Sequence, residues 1–213
     1  MRNMSKTATL QCGCREVRGL VSNASPERVN RVVCYCDDCQ AFLHHLGRAD
    51  LLDVHGGTDI IQIAPASLAL VEGKERVVGV RLTPKGLYRW YASCCRTPLG
   101  NMVTPSIPFV GVVAQAFQSE TQSPDDIFGR PIGAIYGKYA VGRSPDGSTG
   151  FNPRFFARAL GKVIGWRLRG GSWPHPFFER SPRGPRFPLT TLSPQARQAL
   201  RPLCGPYPVR SAK

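Results

Sequence analysis

Within the segment VVCYCDDCQAF, three cysteines, Cys34, Cys36 and Cys39, stand one and two residues apart. Two more, Cys12 and Cys14, precede them in LQCGCRE, and Cys94 and Cys95 follow as an adjacent pair. Seven of the eight cysteines therefore fall into three knots. Only Cys204 is isolated, and it reads as a buried structural thiol. A fold for this chain has to bring the knots together, either to bond them or to give them something to hold.

Length argues against disulfide staples. A chain of 213 residues can bury a core without covalent help. The start, MRNMSKTATLQCGC, has no continuous apolar stretch ahead of the first cysteines, so no cleaved secretory leader is expected. The longest apolar runs, such as PFVGVVAQAF, fall far short of the ~20 residues that span a bilayer. A cytoplasmic setting is expected, where clustered thiols stay reduced and serve as ligands or catalysts.

With 22 Gly and 19 Pro, the composition favours short strands and many turns. Alternation predicts strands in ATLQCGC, EVRGLVS and RVNRVVCYC, with Cys-Gly-Cys at the turn between the first two. A short helix is predicted over DDCQAFLHHLG, which puts Cys34 and Cys36 at a strand end and Cys39 in the first helical turn; Asp37 and Asp38 are expected to cap it, steering a proton at the triple being the alternative. Further strands, clearest in VVGVRL and GLYRWYAS, deliver Cys94 and Cys95 at a strand end. TPSIPFVGVVAQAF and RPIGAIYGKYAVG add strands or a small lobe. Pro153 and Gly170-Gly171 bracket a predicted helix over Pro153–Leu168, and a second short helix is predicted at Pro194–Leu203 in a Pro-rich, otherwise extended tail.

This divides the chain into a loose start over residues 1–7, a β-rich domain over 8–129 and a basic, Pro/Gly-rich region over 130–213. From Arg130 onward 15 basic residues face only Asp146 and Glu179, a net +13 out of the chain's +14. Such a segment is drawn to nucleic acid or an acidic partner. It is also what a solvated basic surface looks like, and no nucleic-acid-binding signature accompanies it.

Zinc takes tetrahedral sets of thiolates and imidazoles, which arrive in pairs a few residues apart because one tight turn aims both at the same ion. Cys12 and Cys14 form such a pair, and Cys34, Cys36 and Cys39 a triple. One or two zinc ions per chain are expected; all-thiolate sites also accept iron.

The succession C-x-C, C-x-C-x-x-C and a late cysteine followed by RTPL resembles the glutathione-dependent formaldehyde-activating enzyme family, which also contains centromere protein V. The similarity covers about residues 8–115. It implies a mainly β fold, a β-tent of small antiparallel sheets around zinc, to which the C-terminal region adds one or two helices. It further implies a closed site that includes Cys12, Cys14 and Cys95, and an open, catalytic site at Cys34, Cys36 and Cys39. The reaction implied is carbon–sulfur bond formation or cleavage, joining a small thiol such as glutathione to formaldehyde as S-hydroxymethylglutathione.

Where the family carries C-x-x-C-G-[ST]-x-L, this chain has Ala92 for the first cysteine, Cys94 as an extra one and Arg96 for the glycine. The fourth ligand of the closed site is thus Cys94, a histidine or water. Adjacent residues on a strand point to opposite faces, so Cys94 and Cys95 can share an ion only if the backbone bends; otherwise Cys94 faces the other zinc and closes it. His44 and His45 follow Cys39 on the same helix, His55 lies in a turn, and His175 between two prolines reads as structural. Arg15, Arg48, Arg89 and Arg96 are the cations available near the metals for a substrate with carboxylates. A zinc-stabilised binding module with a basic C-terminal region is the alternative to an enzyme; a redox sensor at the thiols is a third possibility.

Overall fold

A computed structural model describes residues 7–117, 119, 121–142 and 153–206. Almost all of the loose N-terminal tail, and the end of the Pro-rich tail, lie outside them.

The first two predicted strands are β1 (Ala8–Gln11) and β2 (Arg18–Val21), an antiparallel pair whose residues alternate between buried and half-buried. Cys12 and Cys14 occupy the connecting turn, closed by Arg15 N–H donating to the Cys12 carbonyl at 2.9 Å. Strand β3 (Asn30–Cys34) then runs into helix α1 (Asp37–His45). The expectation that Asp37 and Asp38 cap α1 is corrected. The capping residue is Cys36, in extended conformation (φ −60°, ψ 145°), whose Sγ accepts from Cys39 N–H at 3.3 Å. The aspartates already lie inside the first turn, where their charge favours the helix dipole.

Strands β4 (Thr58–Ile63), β5 (Leu68–Glu72), β6 (Val77–Arg81), β7 (Tyr88–Ala92), β8 (Pro98–Met102) and β9 (Val110–Val113) follow, then helix α2 (Pro124–Phe128) and strand β10 (Ala134–Ile135). Helix α3 spans Pro153–Leu168, as its Pro and Gly-Gly boundaries predict. Three short strands, β11 (Phe178–Glu179), β12 (Gly184–Pro185) and β13 (Leu189–Thr191), precede α4 (Pro194–Ala199).

Among the described residues these make three sheets, ordered β1-β2-β5, β10-β3-β4-β9-β8-β7-β6-β13 and β11-β12. The mainly β class with a few helices is as the sequence predicts. The largest sheet is antiparallel except at its two ends, where β10 and β13 pair in parallel with β3 and β6. Residues beyond 129 thus cover both outer strands, whose unpaired N–H and C=O groups would otherwise remain open.

On β3, Arg31 is buried and pairs with Asp59 and Asp125 at 2.7 Å each, while also donating to the Gly129 carbonyl. This pins the segment entering β10, and Tyr35 N–H then donates to the Ile135 carbonyl at 3.0 Å. Strand β10 is thereby held alongside Cys34.

The main core is centred on Trp90, which stacks on Phe177 with centroids 5.2 Å apart and rings 9° from parallel. Burying such a side chain stabilises by about 2–3 kcal/mol. A Cβ at Gly79 would approach the Trp90 ring to 2.6 Å, so this position requires glycine.

His175 is 1% exposed beside Trp173, Phe177 and Phe178. Its Nδ1 accepts from Phe177 N–H at 3.0 Å, which puts the proton of the neutral ring on Nε2. Burial, aided by Arg186, holds its pKa down at about 4 against an ordinary 6.5. Between those values the unfolded chain binds a proton that the folded chain refuses, so stability rises with pH across this window. Unfolding in urea is expected to show roughly 3 kcal/mol of loss from this group on acidification through it. A His175→Asn variant, which keeps an acceptor near Nδ1, should lose that component; an unchanged slope would show that other groups are responsible.

Candidate metal centres

Seven cysteines form two clusters, Cys12, Cys14, Cys94 and Cys95 in one and Cys34, Cys36 and Cys39 in the other. In each the sulfurs all lie within 4.8 Å of one another. Four thiolates about 2.3 Å from one ion stand about 3.8 Å apart at the corners of a tetrahedron, so both clusters are of a size to hold a metal ion, and zinc is compatible with the donor set. No cysteine is in a disulfide.

The quartet is built from two turns. In it Cys14 Sγ is 3.2 Å and Cys12 Sγ 3.9 Å from Cys94 Sγ, while Cys94 and Cys95 are 3.9 Å apart. The bend that two adjacent ligands demand is present: residues 93–95 form a turn, Arg96 N–H returns to the Ala92 carbonyl at 2.8 Å, and Arg96 has φ +57°. Cys94 therefore completes the first cluster and stands apart from the second.

Thr97 ties the two turns together. Its Oγ1 accepts from Gly13 N–H at 2.9 Å and from Arg48 Nη1 at 3.3 Å, and lies 3.1 Å from Cys95 Sγ. Burial resists ionisation of Cys95, yet hydrogen bonds from Thr97 and from the Cys14 backbone outweigh it and bring the thiol down to about 6. Cys12 and Cys94 are shifted upward, chiefly by burial. Cys95 is thus poised as thiolate beside Cys12 and Cys94, which are held as thiols, a pattern a cation would displace.

The triple is assembled by β3, the α1 cap and the first turn of α1. Cys39 is held low by hydrogen bonds from the Cys34 and Cys36 thiols, with further help from the Arg89 guanidinium, whose Nη1 donates to Cys39 Sγ at 3.9 Å. Cys34 is correspondingly raised by Cys36 and Cys39. Val32, Ile60 and Phe155 of α3 pack with Cys34 and Cys39. From the chain's far end, Arg197 of α4 pairs with Asp37 at 3.0 Å and Asp38 at 2.8 Å, and Gly205 N–H donates to Gln40 Oε1 at 2.7 Å. Both contacts fasten the helix that carries Cys39. All three cysteines line a cavity of about 460 Å³, shared with Arg89, Phe109 and Tyr136.

No histidine belongs to either cluster among the described residues. His55 Nδ1 lies 3.1 Å from the Val141 carbonyl. His45 is half-buried on α1, and burial with Arg96 lowers its pKa. Cys204 packs beneath α1, its Sγ 3.3 Å from the Leu200 carbonyl and 3.5 Å from that of Asp37, either of which can accept the thiol hydrogen. Of the four candidate arginines only Arg89 is at the triple's cavity; Arg48 pairs with Asp50 at 2.8 Å. Thr97 was visible in the sequence only as part of RTPL. Nothing local pointed to Arg197, Gly205 or Phe155.

Residues 4–184 match the model of a family described as a family of unknown function, DUF6151. The chain belongs to this family. As a DUF6151 protein it has no match among curated proteins. Among solved structures, it is similar to the crystal structure of a Rhodobacter sphaeroides protein at 18% identity, covering 59% of this chain and 98% of the other with a TM-score of 0.39.

Because Thr97 orients the quartet without ligating, its removal has a selective effect. Thr97→Val leaves Gly13 N–H without its partner and is expected to weaken metal retention by the quartet roughly 10- to 100-fold in chelator competition. Retention by the triple should be unchanged, and equal losses at both clusters would refute the assignment.

Proposed function

We propose that this chain is a two-zinc protein in which the quartet is structural and the triple is reactive, forming or cleaving adducts between a thiol and a small aldehyde. The contrast between the clusters carries the reading. The quartet offers the four sulfurs that a tetrahedral ion takes, whereas the triple offers three, beside a 460 Å³ cavity. The order of cysteines also resembles that of the formaldehyde-activating enzymes, whose substrate thiol is glutathione. When bound, zinc on three thiolates supplies a fourth position that takes a thiol as its thiolate.

The chain's own residues do the rest. Cys34, Cys36 and Cys39 hold the position, and apolar walls that include Val32, Ile60 and Phe109 keep water from competing with the thiol. Tyr136 lines the same cavity, and its phenol, protonated at neutral pH, can donate to the oxygen as the new carbon–sulfur bond forms. In the forward direction the thiol gives up its proton on binding, its sulfur adds to the aldehyde carbon as the carbon–oxygen π bond breaks, the oxygen takes the Tyr136 proton, and the phenolate recovers from water a proton equivalent to the one the thiol released; the product is a hydroxymethyl thioether. The reverse step releases both reactants.

Elemental analysis should find two zinc ions per chain, falling to about one in Cys36→Ser. Exchange NMR of thiol and formaldehyde mixtures should show faster adduct formation with the native protein and not with the variant. Two zincs without acceleration would remove the enzyme and leave a metal-binding protein.

A second reading, a zinc-stabilised module with a basic binding surface, draws on α3. Phe156, Leu160, Ile164 and Leu168 follow at four-residue spacing and are 40–82% exposed, on a helix with no acidic residue. Under it, changing Leu160 and Ile164 to Ser together with Arg154 to Gln should abolish salt-sensitive binding to an acidic protein or nucleic acid. Retained binding would dismiss it.

A further inference from the structure

Of the 16 residues of α3 only Phe155 and Trp166 are buried, so the helix rests on the body along one side and stands clear along the rest. Three tethers hold it there: Arg158 Nε donates to Asn30 Oδ1 at 3.3 Å, Lys162 to the Glu27 carbonyl and Arg167 to the Ser106 carbonyl at 3.0 Å. Docking to the fold therefore makes no use of Leu160, Ile164 and Leu168, which follow four residues apart and are 50–82% exposed. A contiguous row of aliphatic side chains left in water marks a surface that something else covers.

Charge says what kind of surface that is. From Pro153 to Arg169 there is no acidic residue. On a helix of about 3.6 residues per turn the three aliphatic side chains span a sector of about 80°, and Arg154, Arg158, Lys162 and Arg169 span another of about 80°, centred about 120° further round. Arg28, in the segment before β3, joins this second row: Lys162 feels Arg28, Arg158 and Arg169 together, with Glu27 opposing them. Burial and then the charge of Arg158 lower its pKa. Among the described residues no carboxylate forms an ion pair with Arg28, Arg154, Arg158 or Arg169. Cations crowded in this way repel one another until an anion arrives.

An aliphatic stripe beside a cation row, both facing outward on one helix, suits the boundary of a lipid bilayer, where acyl chains and phosphates lie next to each other. Other occupants fit less well. A second copy would set one acid-free helix against another, cation facing cation. Nucleic acid would take up the cations through its phosphates and leave the aliphatic row in water. An acidic protein would need a groove shaped to a convex helix, whereas a bilayer yields to it. We infer that α3 is a peripheral membrane-binding element that lies on an anionic lipid surface, with Leu160, Ile164 and Leu168 inserted and Arg28, Arg154 and Arg169 on the headgroup phosphates. The helix rests on the bilayer; among the described residues none is long and apolar enough to cross one. Attachment of this kind does not depend on the chemistry of the triple.

Flotation of the full chain with lipid vesicles tests this. Partitioning onto phosphatidylcholine with about one third phosphatidylserine is expected to exceed that onto phosphatidylcholine alone roughly tenfold or more, and to weaken as salt is added. Leu160→Gln with Ile164→Gln, and separately Arg154→Gln with Arg169→Gln, should each cut it roughly tenfold. Urea midpoints equal to that of the native chain show that both variants are folded. The preference between the two lipids needs no variant, and equal partitioning onto both overturns the role of the cations. Flotation that survives Leu160→Gln with Ile164→Gln overturns insertion, since charge alone would then suffice. Without flotation on the anionic vesicles the membrane role falls, and retention on polyaspartate or duplex DNA that the same variants lose then gives the face to an acidic protein or nucleic acid. A dimer in sedimentation that Leu160→Gln with Ile164→Gln dissociates gives it instead to a second copy.

Discussion

Three sulfurs held within 4.8 Å of one another in a buried place repel one another once ionised, and the surroundings of Cys34, Cys36 and Cys39 answer that repulsion. Cys36 spends a lone pair on Cys39 N–H, so the helix terminus and the thiol stabilise each other. Arg89 sets a full positive charge beside Cys39 in a place where water cannot screen it. A metal ion would supply the remaining compensation. The same logic applies less strictly at the quartet, where Cys14 and Cys94 are exposed and water shares the work.

The C-terminal region contributes to this arrangement by contact. Arg197 places a nearly buried guanidinium between Asp37 and Asp38, so the acids that favour the start of α1 are themselves held in place. Arg31 fixes the chain entering β10, and β10 covers the edge of β3 next to Cys34. Phe155 then packs over Cys34 and Cys39 from α3. The basic excess of this region is therefore divided between residues such as Arg197, spent inside the fold, and others on α3 that face solvent.

The site was legible where chemistry depends on neighbours in sequence. A C-x-C turn, a strand ending in C-x-C-x-x-C and a helix beginning after it follow from local periodicity and turn residues, and the structure places them accordingly. The cap departs from expectation because Asp is the commoner capping residue, whereas here the phase of the helix starts one residue earlier and gives that role to a sulfur. Strand alternation alone leaves the place of Cys94 open, because it separates adjacent side chains. A turn at residues 93–95, with positive φ at Arg96, removes that restriction.

By itself the sequence determined a mainly β chain with seven clustered thiols, two C-terminal helices and a strongly uneven charge, because strand alternation, helix boundaries and ligand spacing are properties of short segments. Only the tertiary structure decided that the thiols divide four and three, that Thr97 braces one cluster and Arg197 the helix of the other, and that Arg89 shares a cavity with the triple. Those facts depend on the register between strands and on contacts across as many as 160 positions of chain. No short-range pattern encodes them, since each is fixed by how the whole sheet closes over its core.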